Sequence, residues 1–356
     1  MTARWGLGAL TLVALVTLAY SSADVAARID DAPPDLPPRL ADTGLYAEGQ
    51  VDRIAPGVRA FSPQYPLWSD GAAKRRWVWL PPGTSIDGAR LHEWELPVGT
   101  RFWKEFSIAG RNVETRLLWQ VARGRWVTAS YAWNADGTDA TLAPADGLVA
   151  VADLGHGKQH AIPSRSDCLA CHGAPGRTRP LGFTALQLSD DRDPLAIHGE
   201  PLPDGALSLE SLVADGLLTL GGSAPVPRPR IATADPKTRA VLGYLAGNCG
   251  SCHGRDGDVP AVTPFLRAEQ LVSDGDAVAR AMTGRLTTWQ VPGHDEGTKL
   301  IDALVPQASA LLARMRSRRP SSQMPPLGTV VRDDDAVAEL QGWIEAQARR
   351  RAETSQ

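Results

Sequence analysis

The chain has almost no charge imbalance: 37 Lys and Arg face 40 Asp and Glu, giving a formal net charge of −3. That leaves no electrostatic footprint for nucleic acid, which is not expected as a partner. After the first twenty residues it also lacks the ~20 consecutive apolar residues that a helix needs to cross a bilayer. Gly-x-Ser-x-Gly, His-Glu-x-x-His and phosphate-loop patterns are missing, which removes three common catalytic signatures. Methionine and cysteine are scarce, at four each. A hydrophobic share of 43% still supplies ordinary cores, and 356 residues is long enough for two or three units.

The start of the chain reads as an export signal. Met1 to Arg4 are weakly basic, Gly6 to Tyr20 form a mostly apolar run of 15 residues, and Ser21-Ser22-Ala23 suit signal peptidase. The run is short for a spanning helix and fits a signal h-region. Residues 1–23 are therefore expected to be a signal peptide and the mature protein periplasmic. An uncleaved anchor is the alternative, and only then would a membrane be a partner. Asp31 to Pro38 (DAPPDLPP) is proline-rich, so residues 24–43 read as an extended linker.

In an oxidising compartment the plain reading of four cysteines is two disulfides. Their spacing points elsewhere. Cys168-Leu169-Ala170-Cys171-His172 and Cys249-Gly250-Ser251-Cys252-His253 are both C-x-x-C-H, the attachment signature of c-type haem. Two cysteines three apart can add to the two vinyl groups along one porphyrin edge. The following histidine is then held where its imidazole can bind iron. A four-cysteine zinc site would want its pairs ~15–20 residues apart, but 77 residues separate Cys171 from Cys249. A thioredoxin-like pair leaves the two histidines unexplained. Two covalent haem c groups are the expected cofactors, with His172 and His253 as iron ligands.

The second motif has informative surroundings. Asp235-Pro236 can open a helix, Val241, Leu242 and Leu245 give an apolar stripe, and the stripe runs into Cys249. Gln323-Met324-Pro325-Pro326-Leu327 follows a long connection. Asp333 is then a plausible N-cap for a helix burying Val337, Leu340, Trp343 and Ile344. This order resembles the single-haem domain of class I cytochrome c. The resemblance implies that Met324 is the sixth iron ligand opposite His253, and that Gly243-Tyr244 and Trp343 make the crossing of the terminal helices. Met282 and Met315 sit in helical stretches and read as packing residues. A thioether ligand raises a haem potential and closes the iron.

The first motif shows no long helix on either side. His198 is the nearest downstream histidine and the candidate distal ligand for its iron, although a lone loop histidine is more often a surface residue. An open iron is the other possibility.

Eight of the 11 tryptophans fall between Trp68 and Trp133. Thr115, Leu117, Trp119 and Val121 alternate along one face; after a turn at Arg123-Gly124, Val127, Ala129, Tyr131 and Trp133 alternate again, which predicts a hairpin. Arg76 to Leu80, His92 to Leu96 and Arg101 to Ile108 read as further strands, and Leu207 to Asp215 as a short helix. Asp70, Asp136 and Asp139 lie in glycine-containing loops that suit calcium or plain turns. The expected fold is multidomain: an antiparallel β-sandwich over 44–160, a first haem-binding segment over 161–230, and a mainly α, cytochrome c-like region over 231–356.

The strings Tyr65-Pro66-Leu67-Trp68-Ser69-Asp70-Gly71, Leu80-Pro81-Pro82-Gly83-Thr84, Glu114-Thr115-Arg116-Leu117 and Ile162-Pro163-Ser164-Arg165 resemble a little-characterised bacterial family of exported haem proteins. So does Met-Pro-Pro-Leu-Gly-Thr at Met324 to Thr329. The resemblance implies electron acceptance, with a quinoprotein dehydrogenase or another cytochrome as the redox partner. Two readings stay open: an exported dihaem electron carrier, or a dihaem oxidoreductase of peroxidase type with a reactive first haem. The basic run Arg314, Arg316, Arg318 and Arg319 reads as a solvated helix face or a rim that steers an acidic partner.

Overall fold

The computed structural model describes residues 35–173, 178–222, 225–254, 266–294 and 297–354. The expected signal peptide and the first part of the linker lie outside them. Strands β1 (Arg59–Ala60), β2 (Ala73–Trp79), β3 (Ile86–Gly88), β4 (Arg101–Ile108), β5 (Arg111–Ala122), β6 (Arg125–Trp133) and β7 (Ala140–Leu142) come first. All but β3 form one antiparallel sheet in the order β1-β2-β4-β5-β6-β7. The expected hairpin is present as β5–β6, with Leu117 opposite Ala129 and Trp119 opposite Val127. The β4–β5 turn places Ala109 and Gly110 both at positive φ (49° and 77°), the geometry of a tight two-residue hairpin.

A second full sheet does not cover this one. Val78, Phe102 and Leu118 on one face pack under Phe61, Phe183, Leu188, Leu207, Leu209 and Leu212. These come largely from irregular chain, helped by the two-stranded β3–β10 ribbon (β10, Leu218–Leu220). On the other face, Trp77, Trp103, Leu117, Ala129 and Tyr131 meet Leu40, Leu45, Tyr46 and Val58. Leu40 is fully buried, so the fold begins inside the segment read as a linker. His92 to Leu96 is not a strand; it contributes a single bridge, Asp87 to Glu95. The chain turns instead, the Glu93 N–H donating to the Arg90 carbonyl at 3.1 Å, and Pro97 ends the run without a donor for a ladder. Strands β8 (Leu148–Gly155) and β9 (Lys158–Ile162) form a separate ribbon.

The helices are α1 (Arg165–His172), α2 (Leu209–Ala214), α3 (Pro236–Cys249), α4 (Ala268–Met282), α5 (Ala310–Arg316) and α6 (Asp334–Thr354). Among the described residues, none is long and apolar enough to cross a membrane. Asp235 caps α3 by accepting from the Lys237 N–H at 3.2 Å, with Pro236 in the first turn. Asp333 accepts from the Ala336 N–H at 3.1 Å and so caps α6. Val337, Leu340, Trp343 and Ile344 are buried with Leu242, Leu245, Met282 and Met315 in one helical core. Both methionines therefore pack as expected.

The glycine of α3 has a different partner from the expected one. A Cβ on Gly243 would fall inside the ring of Tyr65, and one on Gly247 would meet the Tyr65 carbonyl oxygen. Tyr65 comes from the β half and is buried (1% exposed). Trp343 instead crosses α3 at Thr238, donating its Nε1–H to the hydroxyl at 2.9 Å. Asn248 completes the seam: its Oδ1 accepts the Trp68 N–H at 2.7 Å, and its amide donates to the Pro66 carbonyl at 3.3 Å.

Two glycine substitutions therefore separate in sign. Gly243→Ala should lose ~1–3 kcal/mol in urea unfolding through overpacking against Tyr65. Gly342→Ala, on α6 with no heavy atom within 4 Å of the added methyl, should gain up to ~1 kcal/mol. Equal effects would mean that Tyr65 does not occupy the α3 groove.

Candidate functional site

Helix α1 carries the whole first motif. Ser164 starts it with a capping box: its Oγ accepts the Asp167 N–H at 3.1 Å, and the Asp167 carboxylate accepts the Ser164 N–H at 3.0 Å. No residue of this eight-residue helix is fully buried, so it has no apolar stripe to read. His172 closes it. A carbonyl can only accept, so the 2.8 Å contact to the Arg179 oxygen makes Nδ1 the donor. Nε2 is left with its lone pair. Burial is the main cause that pulls the His172 imidazole down to about 4, aided by the charges of Lys104, Arg116 and Arg179 against the Arg179 carbonyl bond. The ring is neutral at ordinary pH, the state in which histidine binds metal.

The second motif lies at the end of α3. Cys249 is its last residue, and the Cys252 and His253 N–H groups both return to the Cys249 carbonyl, at 3.1 and 2.8 Å. The Nδ1 of His253 is buried with no hydrogen-bond partner among the described residues. Burial, then Arg314, lowers its proton affinity.

The two motifs touch. The Cys252 thiol lies 3.9 Å from the Ala170 carbonyl, and Arg179 Nη2 donates to the Ser251 carbonyl at 3.5 Å. Burial, then the proximity of Cys252, raises the Cys171 thiol. Burial and Cys252 also push Cys249 up to about 12, and burial raises Cys168. All four cysteines are unbridged, so the disulfide reading is not what the fold presents. Among the described residues, no group of three or more His, Cys, Asp and Glu is arranged to hold a metal.

Met324 is partly buried in the loop after α5. Its N–H donates to the Arg314 carbonyl at 3.0 Å, and Arg318 donates to its carbonyl at 3.3 Å. Arg314 thus borders both His253 and Met324; its guanidinium also lies 5.4 Å over the Trp289 ring. The basic run is consequently not one solvated face: Arg314 and Arg318 brace the methionine loop, and Arg316 binds Gln341 at 2.5 Å. His198 is engaged elsewhere. Its Nε2 bonds both Asp333 oxygens at 2.8 and 3.0 Å, and its ring stacks on Trp68 at 4.8 Å. Asp333 also accepts from Tyr244 at 2.8 Å.

The loop carboxylates have protein partners. Asp70 accepts from the Val330 and Val331 N–H groups at 3.0 and 2.8 Å, tying the β half to the chain after Met324. Asp139 binds Arg39 at 2.6 Å, and Asp136 caps Thr138. A cavity of about 240 Å³ lined by Asp193, Arg230 and Arg239 opens at the start of α3, away from Cys249, and holds neither cysteine nor histidine.

Sequence reasoning missed the charged half of one sheet face. Lys74 and Arg76 on β2, Lys104 on β4, and Glu114 and Arg116 on β5 share the face of Phe102 and Leu118. Their period-two spacing was the available signal. Arg116 grips Glu114 with two bonds, 2.7 and 2.8 Å, while His160 Nε2 lies 3.2 Å from the same carboxylate.

No family model matches the chain, and neither a curated protein nor a solved structure matches it.

Burial alone would raise the Glu114 carboxyl, but Arg116 and His160 outweigh it and hold it at about 2, against an ordinary 4.5. A depressed carboxyl stabilises the fold above its unfolded value, and that stability disappears as pH falls toward the folded value. Between about pH 4.5 and 2 the protein should lose on the order of 3 kcal/mol through this group. Glu114→Gln should flatten that limb in urea unfolding at graded pH; an unchanged slope would exclude the ion pair as its source.

Proposed function

We propose that the chain is an exported dihaem c-type electron carrier, taking electrons from a periplasmic dehydrogenase and passing them to a downstream acceptor. The observation that supports it most is the contact between the two C-x-x-C-H motifs, 3.9 Å from the Cys252 thiol to the Ala170 carbonyl across 82 positions of sequence. Residues that attach redox groups for mutual exchange must lie close together, and isolated motifs would not need to.

The donor set fits covalent haem. Each motif offers two unbridged thiols three positions apart, followed by a histidine. Haem c would supply one-electron chemistry, its iron alternating between ferric and ferrous states. Cys168, Cys171, Cys249 and Cys252 would form the thioethers. His172 would present Nε2, because the Arg179 carbonyl holds Nδ1–H and fixes the tautomer; such support of a ligating ring is the usual outer-shell device. His253 would bind in the second motif. Met324, whose N–H donates to the carbonyl of Arg314, the residue whose charge acts on His253, is the proposed sixth ligand there and would keep that iron closed. His198 would have to leave Asp333 to serve the first iron through Nε2, so it is better read as a clamp on the α6 cap.

The redox partner is a protein, a quinoprotein dehydrogenase or another cytochrome, and the periplasm is where attachment chemistry and partner coincide. Mass spectrometry of protein matured in a haem-attaching host should show two haem additions; one or none overturns the dihaem reading. Met324→Ala should abolish the weak far-red sulfur-to-iron band and lower one midpoint potential. With Met324 on the second iron and His198 held by Asp333, carbon monoxide should bind the reduced protein at one iron at most; binding at both would exclude Met324 as a ligand, and turnover of added peroxide would favour the peroxidase-type enzyme instead.

A further inference from the structure

Three cations stand in line across the sheet. In register, Arg76 of β2 is opposite Lys104 of β4, which is opposite Arg116 of β5. Like charges directly opposite one another destabilise a sheet, so each needs a counter-charge. Arg76 has Glu200, at 2.5 and 3.3 Å, which Lys74 shares at 3.6 Å. Arg116 has Glu114. Lys104 has neither: among the described residues no acceptor or ion pair meets its ammonium, which rests 4.7 Å from the Phe106 ring centroid. Four cations against two carboxylates leave two positive charges in excess on this half of the face.

That excess adjoins the first motif. Helix α1 packs on β6, the neighbour of β5. Lys104 and Arg116 both act electrostatically on Cys171 and His172. Burial, together with Arg76, Lys74 and Arg116, drives the lysine well below its ordinary proton affinity against the pull of Glu200. The Lys104 side chain is only partly buried, so its ammonium, with no acceptor among the described residues, is left for solvent or a ligand to complete.

We propose that Lys104, with Arg116 beside it, forms a binding site for a carboxylate at the first motif. The carboxylate is either a propionate arm of the haem attached there or a free dicarboxylate. Lys104 supplies the direct contact and Arg116 the second charge, while Glu114 orients Arg116. The propionate arm of this proposal rests on the dihaem reading; the cation site does not.

The test uses the full mature chain as wild type, Lys104→Gln, Lys104→Met and Lys104→Arg, with haem counted first by mass. In dihaem protein, an optically followed redox titration should show one midpoint potential lowered in Lys104→Gln and Lys104→Met and restored in Lys104→Arg. If wild-type potentials ignore added succinate, the carboxylate is the haem's own. A saturable succinate shift in wild type, lost in Lys104→Gln, assigns it to a free anion. Unmoved potentials with no succinate effect overturn the site while leaving the dihaem reading intact. Should the first motif carry no haem, that reading falls, and succinate decides the site alone. A rise in apparent Tm for wild type but not for Lys104→Gln sustains it, and no rise overturns it.

Discussion

The architecture depends on one side chain from the β half entering a groove in a helix. Tyr65 lies where α3 has Gly243 and Gly247, and its hydroxyl reaches Asp193 at 3.2 Å. Asn248, one residue before Cys249, bonds the chain on either side of Leu67. The end of α3 is thereby fixed to the same body as the sheet that carries α1. Interiors packed at crystal-like density transmit such constraints over a full element. The contact between the two Cys-Cys-His segments follows from that seam and from Arg179, which bonds both His172 and Ser251.

A second constraint runs through Asp333. It caps α6, accepts from Tyr244 and holds His198, whose ring leans on Trp68 from the seam loop. Asp70, in that same loop, grips the backbone at Val330 and Val331. The β half is therefore tied at two places to the helices and to the chain following Met324. Its role in the proposed carrier is to set the positions of the attachment helix, the methionine loop and the cation row, not to act as a separate module.

What could be read from the sequence was local. The β5–β6 hairpin showed in strict alternation around Arg123-Gly124, and α3 and α6 showed through Asp235-Pro236 and Asp333. Helix α1 did not show, because eight residues with no fully buried position carry no 3.6-residue stripe. The covering of the sheet was also hidden. The strands expected at Arg76 to Leu80 and Arg101 to Ile108 imply a sheet, but not that irregular chain around Leu40 and Leu45 buries Trp77 and Trp103. The eight candidate donor residues were all visible as types and spacings. Their arrangement was not: Pro66 and Asn248 are 182 positions apart, and only tertiary packing brings the two motifs together. For His198 the spacing gave a plausible ligand, whereas the fold gives it to a carboxylate.

Haem at both motifs, with the two in contact, is what the proposed carrier requires. Circular dichroism across the Soret band tests this most directly, because transition dipoles of neighbouring haems couple while distant ones do not. The dihaem protein should show a two-signed band that collapses to one sign when Cys168 and Cys171 are replaced by Ala. A dihaem protein with a single-signed band, equal to the sum of its one-haem variants, would contradict that contact.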